Sequence, residues 1–129
     1  MAPVRVLVAD DDRVVSAQLC GILRAAGYSP MPVFDSIQAI MFAMRDPSPN
    51  AIILDVNMPG GTGLETLRKL RMSAKTMHIP VLVVTGGTDP NVAETAAEIG
   101  ADDFLRKPIE PDALREAMVK LVPPPPAKR

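Results

Sequence analysis

The sequence predicts an α/β fold in which a five-stranded parallel sheet is covered by helices on both faces. Short apolar runs recur at 6–9, 51–54 and 81–84, and continuous runs of this kind are typical of strands buried on both faces of a parallel sheet. Segments with helical apolar spacing lie between these runs. The 129 residues form one ordinary domain, since a chain of this size buries roughly two-thirds of its unfolded surface.

The strands end where polar residues begin. We predict a first strand at Val6–Ala9, a third at Ala51–Leu54, a fourth at Val81–Val84 and a weaker fifth at Asp103–Arg106. Helical segments between them make a βα unit that repeats five times, with right-handed crossovers.

The second strand, Ser29 to Phe34, contains Pro30 and Pro32. Prolines two residues apart remove hydrogen-bond donors on the same side, which only an edge strand tolerates. The sequence therefore predicts the doubly wound order 2-1-3-4-5, with ligands bound at the carboxyl ends of strands 1 and 3.

Five amphipathic helices are predicted from apolar residues at helical spacing. We expect the third helix to span about 63 to 72 and the fourth to end at Gly100, a suitable C-cap. The apolar stripes are Val15, Leu19, Ile22, Leu23 and Ala26; Ile37, Ile40, Met41 and Met44; Leu64, Leu67 and Leu70; Val92, Ala96 and Ile99; and Leu114, Ala117, Met118 and Leu121.

Composition excludes several classes of protein. The net charge of −1 gives no positive field for nucleic acid, and one cysteine excludes an internal disulfide and a cysteine zinc site. No apolar run approaches the ~18 residues of a membrane helix, and Met1–Arg5 leads into a strand rather than a signal peptide.

We expect a cytoplasmic domain at residues 1–122, without membrane contact, followed by a proline-rich tail or linker stub at 123–129.

Polar side chains follow four of the predicted strands, and parallel topology collects them at one edge of the sheet. They are Asp10, Asp11, Asp12, Asp55, Thr85 and Lys107. Clustered carboxylates repel one another, and Mg²⁺ would relieve that repulsion. Five of the eight glycines fall at 60–63 and 86–87, where they let the backbone approach closely or take positive φ. An acidic cluster with a hydroxyl, a lysine and open loops indicates a phosphoryl site beside a metal ion.

Four sequence blocks resemble the receiver domain of two-component response regulators, the CheY-like family. They are Val6–Asp12, Ile53–Gly63, Pro80–Gly86 and Gly100–Pro108. The resemblance covers residues 4 to about 121, and the blocks have the family's order and spacing. It implies the flavodoxin-like receiver architecture.

The resemblance also implies roles for individual residues. Asp55 matches the aspartate that accepts a phosphoryl group from a histidine of a sensor kinase or phosphotransfer protein. Asp10 and Asp11 match the pair that holds Mg²⁺, together with Asp55 and the backbone carbonyl of Asn57. Thr85 and Lys107 match the hydroxyl and the cation that bind phosphoryl oxygens, and Lys107-Pro108 resembles the family's cis peptide.

Phosphorylation in this family switches a protein-interaction surface. Thr85 and Phe104 match the switch residues, although the family often has Tyr at the position of Phe104. The resemblance implies a downstream partner, or a homodimer, on the face formed by the fourth helix, fifth strand and fifth helix. We expect a signalling phosphoacceptor that catalyses only its own phosphotransfer and slow dephosphorylation, without direct contact to nucleic acid.

Two other functions fit part of the pattern. Asp10-Asp11-Asp12-Arg13-Val14 also matches the nucleophile motif of haloacid-dehalogenase-like phosphatases, with Asp10 as nucleophile. That hypothesis gives Asp55 no role, and Lys107 follows rather than precedes the late acidic pair Asp102-Asp103. A receiver-like interaction module without phosphorylation is the third hypothesis. Both Asp12, as a helix N-cap, and the pair Asp102-Asp103, as a solvated turn, have simple structural interpretations.

Overall fold

The computed structural model describes residues 3–58, 61–87 and 89–126 and confirms the predicted fold class. One sheet holds five parallel strands in the order β2-β1-β3-β4-β5. The strands are β1 Arg5–Ala9, β2 Ser29–Val33, β3 Ala51–Asp55, β4 Val81–Thr85 and β5 Asp103–Arg106. The helices are α1 Arg13–Ala25, α2 Ser36–Ala43, α3 Gly63–Met72, α4 Asn91–Ile99 and α5 Pro111–Leu121.

A short antiparallel hairpin follows β3 and was not predicted from the sequence. It pairs Asn57–Met58 with Gly61–Thr62. Pro59 and Gly60, which belong to the glycine loop expected here, lie outside the described residues. The hairpin delivers the chain to the start of α3, directly beside the carboxyl end of β3.

Alternate residues of the central strands enter two cores, as expected for a sheet covered on both faces. Val6 and Val8 pack with α1 and α5, whereas Leu7 and Ala9 pack with α2, α3 and α4. The proline-containing strand β2 pairs only with β1 and occupies the edge, as its prolines predict.

Local caps fix where the helices begin and end. Asp12 is the N-cap of α1, and its carboxylate accepts from the amides of Val14 and Val15, which confirms the structural interpretation of this residue. Gly100 ends α4 with a φ of +124°, a backbone conformation that favours glycine. Asp12 thus fixes the start of α1 at the carboxyl edge of the sheet, and Gly100 fixes the end of α4 at the amino edge.

The predicted apolar stripe of α2 is wrong. Ile37, Met41 and Met44 are exposed, whereas α2 buries the small residues Ser36, Ala39 and Ala43. Small side chains form the buried part of this interface and Phe42 packs partly against the same core, while Ile37, Met41 and Met44 point outward. The spacing of apolar residues identified the helix correctly but identified its buried face incorrectly.

The chain after α5 lies against the turn between α1 and β2. The hydroxyl of Tyr28 donates to the carbonyl of Val122 at 2.7 Å. Pro124 approaches Gly27, with 3.6 Å between its Cβ and the place a Cβ would take on the glycine. The rest of the predicted tail, 127–129, lies outside the described residues. Within the described residues, no helix has both the length and the apolar character needed to span a membrane.

Candidate functional site

Three carboxylates meet at the carboxyl edge of the sheet. Asp10 follows β1 directly, and Asp55 is the last residue of β3, its neighbour in the sheet. Together with Asp11 they place one oxygen each within 4.8 Å of the others. Asp10 and Asp55 are buried and Asp11 is exposed, so two carboxylates of the cluster are shielded from solvent and the third is accessible to it.

Lys107 is the cation of this cluster. Its Nζ lies 2.8 Å from Oδ2 of Asp10 and 3.4 Å from Oδ2 of Asp55. Despite this ion pair, the buried Oδ2 of Asp10 accepts no hydrogen bond of good geometry within the described residues. Asp10 and Asp55 thus share one ammonium group beside the exposed Asp11, and one oxygen of Asp10 keeps acceptor capacity.

The surroundings perturb the ionisation of both central groups. Burial, followed by repulsion from Asp10, raises the pKa of Asp55 from 3.8 to about 6, against the opposing effect of Lys107. Burial lowers the pKa of Lys107, but its contacts with Asp10 and Asp55 outweigh burial, and the net pKa is raised. Lys107 therefore stays charged, while the Asp55 carboxylate is held at an energetic cost.

Thr85 ends β4 and is buried at the same edge. Its hydroxyl oxygen accepts from the amide of Gly87 at 3.1 Å, and its carbonyl accepts from the amide of Lys107 at 2.8 Å. Arg106 donates to the carbonyl of Gly87 at 2.7 Å. The Thr85 hydroxyl and the loop after β4 are thereby held by the end of β5.

Phe104 is half-buried on β5, against the core beneath α2, α3 and α4. The guanidinium of Arg106 lies over its ring, 5.4 Å from the centroid. The predicted switch pair, Thr85 and Phe104, is thus connected through Gly87, which was expected in an open glycine loop, and through Arg106, for which no role was predicted.

The backbone around Asp55 is unusually crowded. The amide of Asn57 donates to Oδ1 of Asp55 at 3.3 Å. At Gly63, a Cβ would stand 2.3 Å from the carbonyl oxygen of Asp55 and 2.5 Å from Cα of Val56. Only glycine fits there, because no flexible side chain could move away. The sequence predicts a helix from about 63 and glycines that let the backbone approach closely, and Gly63 does this by letting α3 start against the backbone of Asp55.

Asp102 is exposed just before β5, as expected for a solvated turn, but it has partners that the sequence did not predict. Its Oδ2 accepts from Arg71 at 3.0 Å and from the amide of Val81 at 2.8 Å. These bonds tie the start of β5 to the start of β4. The contact between Arg71 and Asp102 could not be predicted from local sequence patterns, because the two residues lie 31 positions apart.

The cluster fits a hard divalent cation. Its donors are carboxylate oxygens, the type that Mg²⁺ prefers. A buried oxygen without a hydrogen bond and mutual repulsion among three carboxylates are both relieved by added positive charge. Asp10, Asp11 and Asp55 could therefore hold such an ion.

Comparison with known families decides the identity of the domain. Residues 6–119 match the model of the response regulator receiver domain. The chain belongs to this family. Receiver domains are signalling modules rather than conventional enzymes, and they interact with histidine kinases.

Three relatives illustrate the family. The phosphate regulon transcriptional regulatory protein PhoB of Klebsiella pneumoniae is 33% identical over 110 residues, which cover 85% of this chain and 48% of PhoB. The chain thus spans about half the length of that relative. A response regulator from Chloroflexus aurantiacus superposes with a TM-score of 0.87 at 31% identity, covering 93% of this chain and 98% of the other.

The third relative has metal in its site. The receiver domain of sensor histidine kinase PA1611 from Pseudomonas aeruginosa PAO1 has a TM-score of 0.84 at 26% identity, covering 93% of this chain and 98% of the other. That structure contains a magnesium ion coordinated in its active-site cleft.

Proposed function

We propose that Asp55 accepts a phosphoryl group from a phosphohistidine of a sensor kinase or a histidine phosphotransfer protein, with Mg²⁺ as cofactor. The observation that carries the proposal is the convergence of Asp55 with Asp10, Asp11 and Lys107 at one edge of the sheet. Magnesium in the cleft of the PA1611 receiver supports the choice of metal.

Each residue of the cluster has a separate role in phosphoryl transfer. An oxygen of Asp55 attacks phosphorus as the bond from phosphorus to the histidine nitrogen breaks, and the leaving imidazole takes a proton from solvent. Lys107 neutralises charge on a phosphoryl oxygen, and the hydroxyl of Thr85 donates to another. Asp10, Asp11, Asp55 and the carbonyl of Asn57 would hold Mg²⁺, which when bound would supply positive charge near the phosphoryl oxygens.

The same groups limit what the domain catalyses. Water attack on phosphorus returns Asp55 to a free carboxylate and releases phosphate. No additional buried base faces Asp55 among the contacts of the described residues, so we infer a slow self-catalysed dephosphorylation. The domain thus acts as a phosphoacceptor with a finite signalling lifetime.

We propose that the signal leaves through the face formed by α4, β5 and α5. When the Thr85 hydroxyl turns toward a phosphoryl group, it gives up the amide of Gly87, which Arg106 also restrains. Arg106 in turn lies over Phe104, so the loop and the aromatic ring respond together. A downstream protein, or a second copy in a homodimer, would bind this face.

The domain boundary follows from the same proposal. Residues 1–122 make the receiver unit, and 123–129 act as a proline-rich tail or linker. PhoB is about twice as long as the segment it shares with this chain, which supports a role for the receiver as one part of a regulator. The setting we propose is the cytoplasm, where kinases use ATP.

Mass spectrometry tests the phosphoacceptor directly. Wild-type protein incubated with acetyl phosphate and Mg²⁺ should gain one phosphoryl group, and Asp55→Asn should gain none. Label that persists in Asp55→Asn and disappears in Asp10→Asn would instead support the phosphatase hypothesis. Failure of both proteins to bind Mg²⁺ or label would support the non-phosphorylated interaction module.

Beryllofluoride with Mg²⁺ tests the switch, since it mimics a phosphoryl group on an aspartate. Amide resonances of Phe104 and of residues in α4 should shift together with those of the Asp55 pocket. Phe104→Tyr should need more beryllofluoride for the same shift, because an inward hydroxyl must be desolvated. Shifts confined to the pocket would mean that the output surface lies elsewhere.

A further inference from the structure

Arg106 contacts the loop that connects β4 to α4. Its guanidinium donates to the carbonyl of Gly87 at 2.7 Å and reaches the carbonyl of Asp89 at 3.5 Å. It also lies over the ring of Phe104, 5.4 Å from the centroid. One side chain at the end of β5 thus contacts the loop at two points and the predicted switch aromatic at a third.

The strand register brings Arg106 to this loop. Arg106 pairs with Thr85 across β5 and β4, so its side chain lies beside the segment that starts after Thr85. Phe104 comes two residues earlier on the same strand, and residues two apart share a face of a sheet. The planar guanidinium offers several donors in a fixed fork, which suits it to two carbonyls at once.

The loop has few other anchors. Gly86 and Gly87 have no side chains that could pack, and a Cβ at either position would meet nothing closer than 3.5 Å. Within the loop, the amide of Gly87 donates to the hydroxyl oxygen of Thr85 at 3.1 Å. Among the described residues of the loop, the hydrogen bonds to β5 both come from the side chain of Arg106.

We propose that Arg106 is a positioning residue that holds the Thr85 hydroxyl and the β4–α4 loop in the unphosphorylated arrangement. This inference rests on the proposed function, in which the Thr85 hydroxyl turns toward a phosphoryl group on Asp55. When the loop follows that hydroxyl, the carbonyls of Gly87 and Asp89 leave the guanidinium. The bonds of Arg106 therefore stabilise the resting state alone and oppose the switch.

The linkage between the two states fixes the sign of the effect. A ligand that binds only the switched state has an apparent Kd that is inversely proportional to the fraction of protein in that state. Since a hydrogen bond of this kind shifts an equilibrium by about twofold to tenfold, loss of the Arg106 contacts should raise the switched fraction about threefold to tenfold. Loss of the positive charge acts in the opposite direction, because it weakens the binding of a nearby anion.

Titration with beryllofluoride at saturating Mg²⁺ tests the proposal, with amide resonances of the Asp55 pocket as the signal. Arg106→Ala should reach half-saturation at about threefold to tenfold less beryllofluoride than the wild type. Arg106→Lys should fall between the two, because lysine lacks the planar fork. Arg45→Ala is the matched control and should bind like the wild type, since the guanidinium of Arg45 also lies over a ring, 3.9 Å from the centroid of Phe42.

A second measurement needs no phosphoryl mimic. Hydrogen exchange of the Gly87 amide in EDTA reports how often the loop leaves Thr85. Exchange should be about threefold to tenfold faster in Arg106→Ala than in the wild type, because the resting loop has lost its bonds to β5. Exchange in Arg45→Ala should equal that of the wild type.

The outcomes separate this inference from the proposed function. If the wild type binds beryllofluoride and Arg106→Ala binds no tighter, the role of Arg106 is wrong while the phosphoacceptor remains. Unchanged exchange at Gly87, or equal tightening in Arg45→Ala, overturns the same role. A wild type that binds no beryllofluoride overturns the proposed function and this inference with it. Arg106 is exposed, and a partly unfolded variant would bind less of the mimic, so poor folding cannot imitate the expected result.

Discussion

The two edges of the sheet treat polar groups in opposite ways. At the carboxyl edge, Asp10 and Asp55 share the ammonium of Lys107 beside the carboxylate of Asp11, and an oxygen of Asp10 accepts no good hydrogen bond within the described residues. At the amino edge, the guanidinium of Arg71 donates to three carbonyls and to a carboxylate. Those acceptors are Gly100, Met77, Ile79 and Asp102.

The difference separates groups that stabilise the fold from groups kept for a ligand. Satisfied polar networks contribute to stability, whereas an unsatisfied buried group costs free energy until a partner arrives. Functional sites are where a sequence departs from local consistency. The amino edge should therefore lose stability on mutation, and the carboxyl edge should gain it.

Arg71→Ala should show the largest effect. The change removes the Arg71 donor from three carbonyls and leaves the Asp102 carboxylate with only the amide of Val81 among its described partners. We therefore expect the free energy of unfolding to fall by about 3 kcal/mol. Urea denaturation in the absence of divalent metal measures it. Arg68→Ala on the exposed side of α3 is the control and should change stability by less than about 0.5 kcal/mol.

Arg71→Lys tests whether a positive charge alone at this position can maintain stability. Lysine keeps the charge but lacks the planar fork that reaches several acceptors at once, so rescue should be incomplete. If Arg71→Ala cost no more than Arg68→Ala, the bonds at the amino edge would contribute nothing net, and the proposed difference between the edges would be wrong.

Asp55→Asn should have a smaller effect of opposite sign. The pKa of Asp55 is raised from 3.8 to about 6 in the folded protein, so between these values the folded state keeps a proton that the unfolded state has lost. Ionisation of Asp55 therefore lowers stability as pH rises from about 4 to about 7. Without metal at pH 7, the variant should be more stable than the wild type by about 2 kcal/mol.

The pH dependence of this stability difference shows whether the charge of Asp55 causes it. The stability difference between Asp55→Asn and wild type should be small near pH 4, grow through pH 5–6 and level off above about pH 7. Chemical denaturation at matched pH values in EDTA measures it. A difference that is constant with pH would mean that the substitution acts through packing rather than through charge.

The strands and the site could be predicted because their signals are local. Asp10, Asp55 and Thr85 each come at the end of an apolar run, and parallel topology then brings the ends together. Helix α2 shows the limit. Its spacing predicts a helix, but Ile37 and Met41 face solvent because the opposite side of the helix, with Ala39 and Ala43, meets the core.

Contacts between residues that lie far apart in the sequence could not be predicted, because the patterns used were local. Arg71 and Asp102 lie 31 residues apart, and the residues around each of them do not predict that the two are in contact. Gly63 was predicted at the start of the third helix and among glycines that allow close backbone approach, but the segment that it approaches depends on where the hairpin directs α3. Such contacts require knowledge of the packed arrangement.

Asp11→Asn should have the smallest effect on the metal-free protein and a decisive one on the metal-bound protein. Asp11 is exposed, so water already screens its repulsion, and we expect only a slight rise in melting temperature in EDTA. Wild-type protein with Mg²⁺ at ten times its Kd should gain about 1.4 kcal/mol from binding. Asp11→Asn should lose that gain if its carboxylate holds the ion.

The neighbouring residue provides a matched control. Asp12→Asn removes the same charge one position away, while asparagine can still cap α1, and Asp12 is not part of the carboxylate cluster. Its Mg²⁺-dependent rise in melting temperature should equal that of the wild type. A rise that survives in Asp11→Asn, or one that is lost equally in both variants, would show general charge attraction rather than a site with defined ligands. The carboxyl edge would then be a repulsive cluster that no specific ion is built to relieve.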